Sequence, residues 1–293
     1  LKERAFIMWK QFVHIAALIV VLGCFCSTAL ALDFMGPPSA GLKKGQISLG
    51  ADYSDTRMDL GLDNGVIVNE IYQWGVLASS SSSRVSSFTL KRLKMHKLYA
   101  NIGYGITDNW EAFIRLGGMN TEFSGNFFPG SAGSQSRNYN GDTGFAIGFG
   151  TKVTFYEKDK LKLGALFQMS WASSHASASG ADWRETVDID IIEMQIALGA
   201  TYQLTEKITI YGGPFWHFIN FNDSDLNGCR EYQSNPAQGE TMISYASYDL
   251  DDISNFGGYI GAQYEVFKDV FYCIEYQHTR SADALAMSIK WKF

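Results

Sequence analysis

Between Asp223 and Gly228 the chain reads Asp-Ser-Asp-Leu-Asn-Gly, with oxygen-bearing side chains at alternate positions before the glycine of a sharp turn. That is the first half of a calcium loop, in which hard oxygen ligands converge on one cation. The expected ligands are Asp223, Asp225, Asn227 and Glu231, with the Cys229 carbonyl between them. The twelfth position is Ser234, not a bidentate Glu, and no flanking helix is evident, so an ordinary solvated turn is the competing reading. Hydrolytic chemistry would instead need an imidazole beside a carboxylate or hydroxyl. His217 and His278 fall near strand ends, Asp223, Asp225, Asp249, Asp251 and Asp252 share one connection, and Ser281 follows His278 closely. None of these makes a motif of fixed spacing, so the expected protein is non-enzymatic, with a rim protease or a lipid-modifying hydrolase as the alternative. Calcium is the one cofactor the motifs suggest.

What these residues can do depends on the elements that carry them. The chain has 293 residues, of which 46% are hydrophobic, 14% aromatic and 18% charged, and it holds 29 Gly but only 5 Pro. Disordered chains are richer in charge and poorer in aromatics. A mean hydropathy of −0.08 is too polar for a bundle of membrane helices. The net charge is −6, without a clustered basic patch, which argues against nucleic acid as a partner.

Residues 1–31 read as a secretory signal peptide. Lys10 precedes an apolar run from Phe12 to Phe25, and Ser27-Thr28-Ala29-Leu30-Ala31 supplies the small-residue cleavage site. Cleavage is expected after Ala31, with Met8 as the natural start. A competing lipoprotein box, Val21-Leu22-Gly23-Cys24, has Leu in a poorly fitting position. Removal of the signal leaves Cys229 and Cys273, too few for a disulfide framework. Residues 32–44 are expected to be a periplasmic N-terminal segment, and 45–293 a single barrel.

Beyond the signal, alternation of apolar with small or polar residues is nearly continuous. From Ile192 to Leu204, apolar side chains occupy every second position against Glu193, Gln195, Ala197, Gly199, Thr201 and Gln203. This period of two is strand chemistry. Ten such runs occur, near 46–53, 98–106, 110–117, 145–155, 161–171, 192–204, 208–218, 256–266, 270–277 and 285–293. Tight polar turns near 107–109, 157–160, 205–206 and 268–269 alternate with long connections near 55–87, 120–142, 173–186 and 221–254. The expected fold is therefore all-β: one antiparallel transmembrane barrel of about ten strands, with short turns on one side and long loops on the other. Eight or twelve strands remain alternatives, since the Ser79–Ser83 loop, with its Asp63-Asn64-Gly65 turn signal, could project as a ribbon or insert. A soluble β-sandwich or lipocalin-like barrel would bury the apolar face and wet the polar one. Here the polar face is crowded with Gly, Gln, Ser and Thr, which suits a narrow lumen, and Trp110, Trp291, Phe293, Trp171, Trp216 and Tyr53 fall where aromatic girdles belong. The polar face then places Asp52, Glu111, Glu193, Glu265 and Glu275 inside with Arg115, Lys152, Lys162, Lys290 and Lys292, five acids against five bases. Buried charges need partners. The expectation is a plugged bore crossed by ion pairs, with a narrow small-solute conduit as the alternative.

At this point the chain resembles the outer-membrane β-barrel proteins of Gram-negative bacteria. Leu285, Met287, Ile289, Trp291 and the terminal Phe293 look like the signal read by the barrel-assembly machinery, though the usual glycine shortly before them is absent. Tyr104-Gly105-Ile106-Thr107-Asp108-Asn109-Trp110-Glu111 is similar to a periplasmic hairpin of porin-like barrels. The resemblance spans residues 45–293 and singles out no subfamily. It implies the outer membrane as location, with outer-membrane lipid and the assembly machinery as partners. The role it implies is envelope-structural, surface-interacting or pore-forming, and no extracellular ligand is indicated.

Overall fold

A computed structural model describes residues 32–85, 88–128, 135–220, 225–250, 253–280 and 282–293. The expected signal peptide lies outside this range. Fourteen strands run through the described residues: β1 (Ile47–Gln73), β2 (Val76–Val85), β3 (Phe88–Thr107), β4 (Trp110–Gly125), β5 (Arg137–Asp142), β6 (Gly144–Lys158), β7 (Leu161–Ser179), β8 (Trp183–Gln203), β9 (Ile208–Asn220), β10 (Asp225–Asn235), β11 (Glu240–Leu250), β12 (Ile253–Phe267), β13 (Val270–Thr279) and β14 (Ala282–Lys292).

Ten of them close into an antiparallel ring. β1 pairs with β3, and the ring passes through β4, β6, β7, β8, β9, β12 and β13 to β14, which pairs with β1. These are the ten strands expected from alternation. At the seam Ser48 faces Lys292 and Met58 faces Ala282, and the Phe293 N–H donates to the Ile47 carbonyl at 2.9 Å. Closure leaves this ring without an unpaired edge, the requirement for crossing a bilayer with strands. Ile260 is 66% exposed on the outside and Ile114 is 60%, while Glu111 inside is 2% exposed. That inversion excludes the soluble sandwich. Ile196 and Leu198 point outward, as expected.

The outward face changes character at one level around the ring. On β8, Ile192, Met194, Ile196 and Leu198 lie below the change, with Asp188 and Asp190 above it. On the paired β7, Trp171 stands opposite Ile192, Ser173 opposite Asp190 and His175 opposite Asp188. On β1 and β3 the same step separates the Tyr53–Leu98 pair from the Asp55–His96 pair. This level is the upper limit of the apolar belt.

Above it the inward face turns apolar, with Val187, Ile189 and Ile191 on β8 and Met58, Leu93, Met95 and Met119 nearby, all buried. A second tier closes here. β5 inserts between β4 and β7, and the β10–β11 hairpin bridges β8 to β1 where β9, β12, β13 and β14 end. The connections expected as loops near 173–186 and 221–254 are therefore largely strand. The 55–87 connection is the projecting ribbon: β2 pairs with β1, whose 27 residues run well past the belt. Its turn is Trp74–Gly75, both at positive φ, and not Asp63-Asn64-Gly65, which forms a bulge in the β1–β11 ladder. A side chain at Gly65 would meet the Tyr248 ring at 2.4 Å, so this glycine serves packing instead of a turn.

Candidate functional site: a filled lumen

Residues 32–44, expected as a periplasmic segment, are found elsewhere. From Lys43 upward they enter the lumen and climb it toward Leu32, and Leu32, Asp33, Phe34, Met35, Ala40 and Leu42 are each 6% exposed or less. The segment has no strand or helix of its own, so its backbone groups must find side-chain partners in the wall. At the lower end the Gly41 and Leu42 N–H groups donate to Glu111 Oε2 at 2.7 and 2.9 Å, and Lys292 Nζ donates to the Gly41 carbonyl at 2.8 Å. Next, the Ala40 N–H donates to Thr154 Oγ1 at 2.9 Å and Ser39 Oγ to Thr201 Oγ1 at 2.8 Å. The Met35 and Gly36 N–H groups donate to the two oxygens of Glu275 at 3.0 and 2.8 Å. Lys152 Nζ donates to the Met35 carbonyl at 2.7 Å, and Arg115 Nη2 to the Phe34 carbonyl at 2.7 Å. At the top, Ser170 Oγ donates to Asp33 Oδ2 at 2.6 Å and Gln277 Nε2 to the Asp33 carbonyl at 2.9 Å.

Two inward glycines make this passage wide enough. A Cβ at Gly105 would lie 2.0 Å from the Lys43 carbonyl oxygen, and one at Gly164 would lie 2.6 Å from that of Pro38. Both opposing atoms are backbone and cannot swing aside. The inward glycines thus accommodate a chain, not long charged side chains reaching across the bore.

The ten expected lumen charges divide accordingly. Asp52, Glu111, Arg115, Lys152, Glu193 and Glu275 are buried and face inward. Glu111, Arg115, Lys152 and Glu275 hold the plug backbone, as does Lys292 at the lower mouth, whose ammonium also lies 4.2 Å from the Phe271 ring. Lys290 approaches Glu111 at 3.8 Å from the half-open mouth. Lys162 pairs with Glu157 at the lower rim, both well exposed, and does not join the network. Glu265 accepts the Asp269 N–H at 3.2 Å in a lower turn. Cross-lumen ion pairs do exist, but they converge on a residue not foreseen, Asp33. Lys97 contacts Asp33 at 3.1 Å and Glu193 at 2.8 Å. Arg115 lies 3.8 Å from Asp33 and 3.8 Å from Asp52. Lys97 was legible only as the polar neighbour of an expected strand start, and Asp33 gave no signal.

Over the plug sits a second closure. Phe127 and Phe128 follow β4 and turn into the upper tier, where both are buried. The Tyr248 hydroxyl donates to the Phe127 carbonyl at 2.7 Å, and its ring meets that of Phe127 edge-on at 4.9 Å. The tier is clamped at Glu185, which receives Arg137 at 2.8 Å, Arg230 at 3.2 Å and the Tyr139 hydroxyl at 2.5 Å, tying β5, β8 and β10 together. The Arg137 guanidinium stacks 3.3 Å above the Trp183 ring. Burial and the bond to Glu185 push the Tyr139 phenol well above its ordinary range, so it remains a donor.

Among the described residues the calcium arrangement is not formed. Asp225, Asn227, Gly228 and Glu231 run in β10, with Asn227 opposite Ser247 and Gly228 opposite Ala246. An extended strand spreads alternate side chains along its length instead of converging them on one point, and Asp223 lies outside the described residues. His217 is not at the rim: it is fully buried and faces the lumen, 4.0 Å from Glu193. Three other imidazoles do meet carboxylates. His96 lies 3.7 Å from Asp55, His175 lies 2.5 Å from Asp188, and His278 contacts Asp283. All three pairs stand on the outside of the wall just above the apolar belt. Asp251, Asp252 and Ser281 lie outside the described residues.

A model of the outer membrane protein beta-barrel domain matches residues 121–291. No curated protein matches the chain. Among solved structures, the translocator domain of the autotransporter NalP from Neisseria meningitidis is 12% identical, covering 86% of this chain and 90% of its own, with a TM-score of 0.40. The outer membrane protease OmpT from Escherichia coli is 11% identical, covering 90% and 99%, with a TM-score of 0.43. The Pseudomonas putida toluene transporter TodX is 11% identical, covering 91% and 99%, with a TM-score of 0.39. With more than half of its length inside that domain, and a closed ring of lipid-facing strands around it, the chain belongs to the outer membrane protein β-barrel family and resides in the outer membrane of a Gram-negative cell.

Proposed function

We propose that this is a non-enzymatic, resting-closed outer-membrane barrel whose working surface is its extracellular β-tier: an envelope-structural and surface-interaction protein. The observation that carries this reading is the filled lumen, with the backbone of residues 33–42 bonded to the wall below and Phe127 and Phe128 packed above. A conduit needs a continuous wetted path, and among the described residues the plug and the aromatic pair stand across it. The clamp at Glu185 and the 27-residue β1 support a rigid tier presented beyond the membrane. The outer imidazole–carboxylate pairs do not favour a rim hydrolase. His96–Asp55 and His278–Asp283 are near neighbours across the β1–β14 seam, with Asp283 opposite Arg57, and His175–Asp188 lies on β7 and β8, but all stand on the convex outer wall, a face that offers no cleft to hold a substrate against them. The test is the purified protein in a planar bilayer: the intact chain is expected to show no single-channel steps. Regular steps from the intact chain would refute the closed reading in favour of the small-solute conduit, and peptide or lipid A cleavage by the same sample would refute the non-enzymatic one.

On this reading the partners are outer-membrane lipid around the belt and, during biogenesis, the barrel-assembly machinery. Phe293 is 52% exposed on the lipid side, its ring 4.3 Å from that of Trp291. Burying it in lipid is worth about 1.5–3 kcal/mol at most, a minor share of a barrel's stability. Its larger role is recognition at the end of the Leu285, Met287, Ile289, Trp291 alternation. The Phe293→Ser chain is expected to fold in detergent nearly as well as the parent while its outer-membrane yield in cells falls severalfold. Unchanged yield would remove the assembly signal from these residues.

A further inference from the structure

β2 is a strand with a free edge. It pairs with β1 on one side, from Val85 opposite Gly65 to Val76 opposite Gln73, and among the described residues no strand pairs with its other side. β4 does not cover that side, since it meets β3 only from Lys94 downward. Residues 76–84 are exposed throughout, so water reaches both faces of the strand as well as its edge. Unpaired N–H and C=O groups in a row are a template for a further strand, and edges that stay single usually carry proline, charge or a bulge that turns them away. β2 has no proline and one charge, Arg84, and its bulge at Ala78 leaves residues 79–85 regular. The end of the ribbon is apolar where a solvated turn would be polar: Trp74 is 77% exposed, Val76 70% and Leu77 49%. Exposed apolar side chains gathered in one place mark a contact surface. Ser81 stands opposite Asn69. From Asp55, at the upper limit of the apolar belt, β1 advances roughly 45 Å to reach Asn69. The edge therefore stands clear of the lipid headgroups, a layer about 5–8 Å deep.

We propose that the free edge of β2 pairs antiparallel with the same edge of a second copy of this chain, anchored in an opposing membrane. Chain direction decides the geometry. Within one membrane every β2 runs the same way, from the end of the ribbon down toward its barrel, so neighbours there can meet only in parallel, the less stable pairing. An antiparallel contact about a two-fold axis needs ribbons that point at each other, which places the two barrels in two membranes. The edge is self-complementary about Ser81. Ser79 then faces Ser83 of the second copy and Ser80 faces its Ser82, small polar pairs whose hydroxyls hydrogen-bond across the strands. Beyond the serines, Val76 and Leu77 of one copy come beside Val85 of the other, and these apolar ends pin a register that serines alone leave loose. A second copy is the fitting occupant because one symmetric contact satisfies the edge and covers both apolar ends at once. The inference rests on the surface-interaction reading and names its partner.

The experiment reconstitutes the purified barrel into two populations of phosphatidylcholine vesicles carrying different dyes. Clustering is read as coincidence of the two colours, and contact within one membrane as energy transfer between labelled copies in a single population. The chains compared are the parent, Ser80→Lys with Ser82→Lys, and Ser80→Glu with Ser82→Glu. Both positions are exposed, so the barrel itself is left intact. Parent vesicles should cluster. Either charged chain sets like charges directly opposite in its own pairing and should cluster on the order of tenfold less. Mixing lysine-bearing with glutamate-bearing vesicles should restore clustering to the parent level. A chain with Ser124→Glu and Asn138→Glu, exposed elsewhere on the tier, should not restore it. Parent vesicles that stay apart, charged chains that cluster like the parent, or a mixture that fails to recover overturn the proposal. Recovery by the displaced glutamates would reduce the effect to general attraction and overturn it too, as would energy transfer within one population without clustering, the mark of a parallel contact in one membrane. None of these readouts is a conductance or a hydrolysis, so vesicles that fail to cluster remove the second copy as partner and leave the closed, non-enzymatic barrel standing.

Discussion

A chain lacking residues 32–42 and carrying Phe127→Ser and Phe128→Ser is expected to conduct ions, whereas either alteration alone leaves the barrel closed. The two closures lie in series along one bore, and current requires both to open. Deleting the plug frees Glu111, Glu275, Lys152 and Arg115 from the backbone they hold. The vacated space is lined by these charges and fills with water, which rehydrates them. The deletion therefore costs less than its number of lost hydrogen bonds suggests, at about 1 kcal/mol net for each. The water column still ends at an apolar ceiling of Met58, Leu93, Met95 and Met119 beneath Phe127 and Phe128, and a narrow apolar constriction stays dry. Truncating the two phenylalanines alone opens that ceiling, but the plug beneath remains bonded to wall residues from Glu111 up to Gln277. Single-channel recording of the four chains in a planar bilayer checks this. Steps from the plug-deleted chain alone would show that the aromatic layer is no barrier, and silence from the combined chain would show a further obstruction.

The ring was legible in the sequence because lipid imposes a constraint on every second residue. Ile192 to Leu204 could alternate in that way only as a strand with one face in hydrocarbon, and it does so in β8. Above the belt the solvent changes and the rule inverts. On the same strand Asp188 and Asp190 face outward while Val187 and Ile189 face inward, with the period of two unbroken. A pattern keyed to apolar residues on the outside ends the strand at Ile192, so alternation of that sense leaves the upper parts of β7 and β8, and all of β10 and β11, without a signal. The described part of the calcium motif is extended for a related reason. Asp225 and Asn227 have turn-forming side chains, yet their ladder with β11 holds them extended. Parity alone assigns Asp52, Glu111, Arg115, Lys152, Glu193 and Glu275 to the inward face, where the wall buries them, but it cannot name their partner. Leu32-Asp33-Phe34-Met35-Gly36-Pro37-Pro38 has no periodicity, because its bonds run from backbone to distant side chains. Such complementarity belongs to the assembled wall and leaves no local pattern.

Arg115→Ala is expected to destabilise the barrel by about 3–5 kcal/mol, the usual consequence of leaving buried charge unpaired. Arg115 lies at the junction of both parts of the lumen. Its guanidinium donates to the Phe34 carbonyl at 2.7 Å and to Gln168 Oε1 at 2.5 Å, and stands 3.8 Å from Asp33 and from Asp52. The Phe113 ring lies 4.8 Å from it on another side. Removing it leaves two carboxylates and a carbonyl with fewer partners, in a space that the docked plug keeps dry. Water cannot re-enter unless residues 33–42 leave, so the variant must either keep the unpaired charge or give up the plug. Arg115→Lys keeps the charge but not the planar fork, and one ammonium cannot serve Phe34, Gln168 and two carboxylates at once. It should fall between the parent and the alanine variant. Asp52 loses only a neighbour when Arg115 is changed, so Asp52→Asn combined with Arg115→Ala should recover part of the loss by removing one stranded charge. The measurement is urea unfolding in detergent micelles of the parent, the two single Arg115 variants and the double variant. An Arg115→Ala chain as stable as the parent, with residues 33–42 still protected from amide exchange, would show that the plug is held by its backbone bonds to Glu111, Lys152 and Glu275 and owes nothing to the charge cluster at its tip.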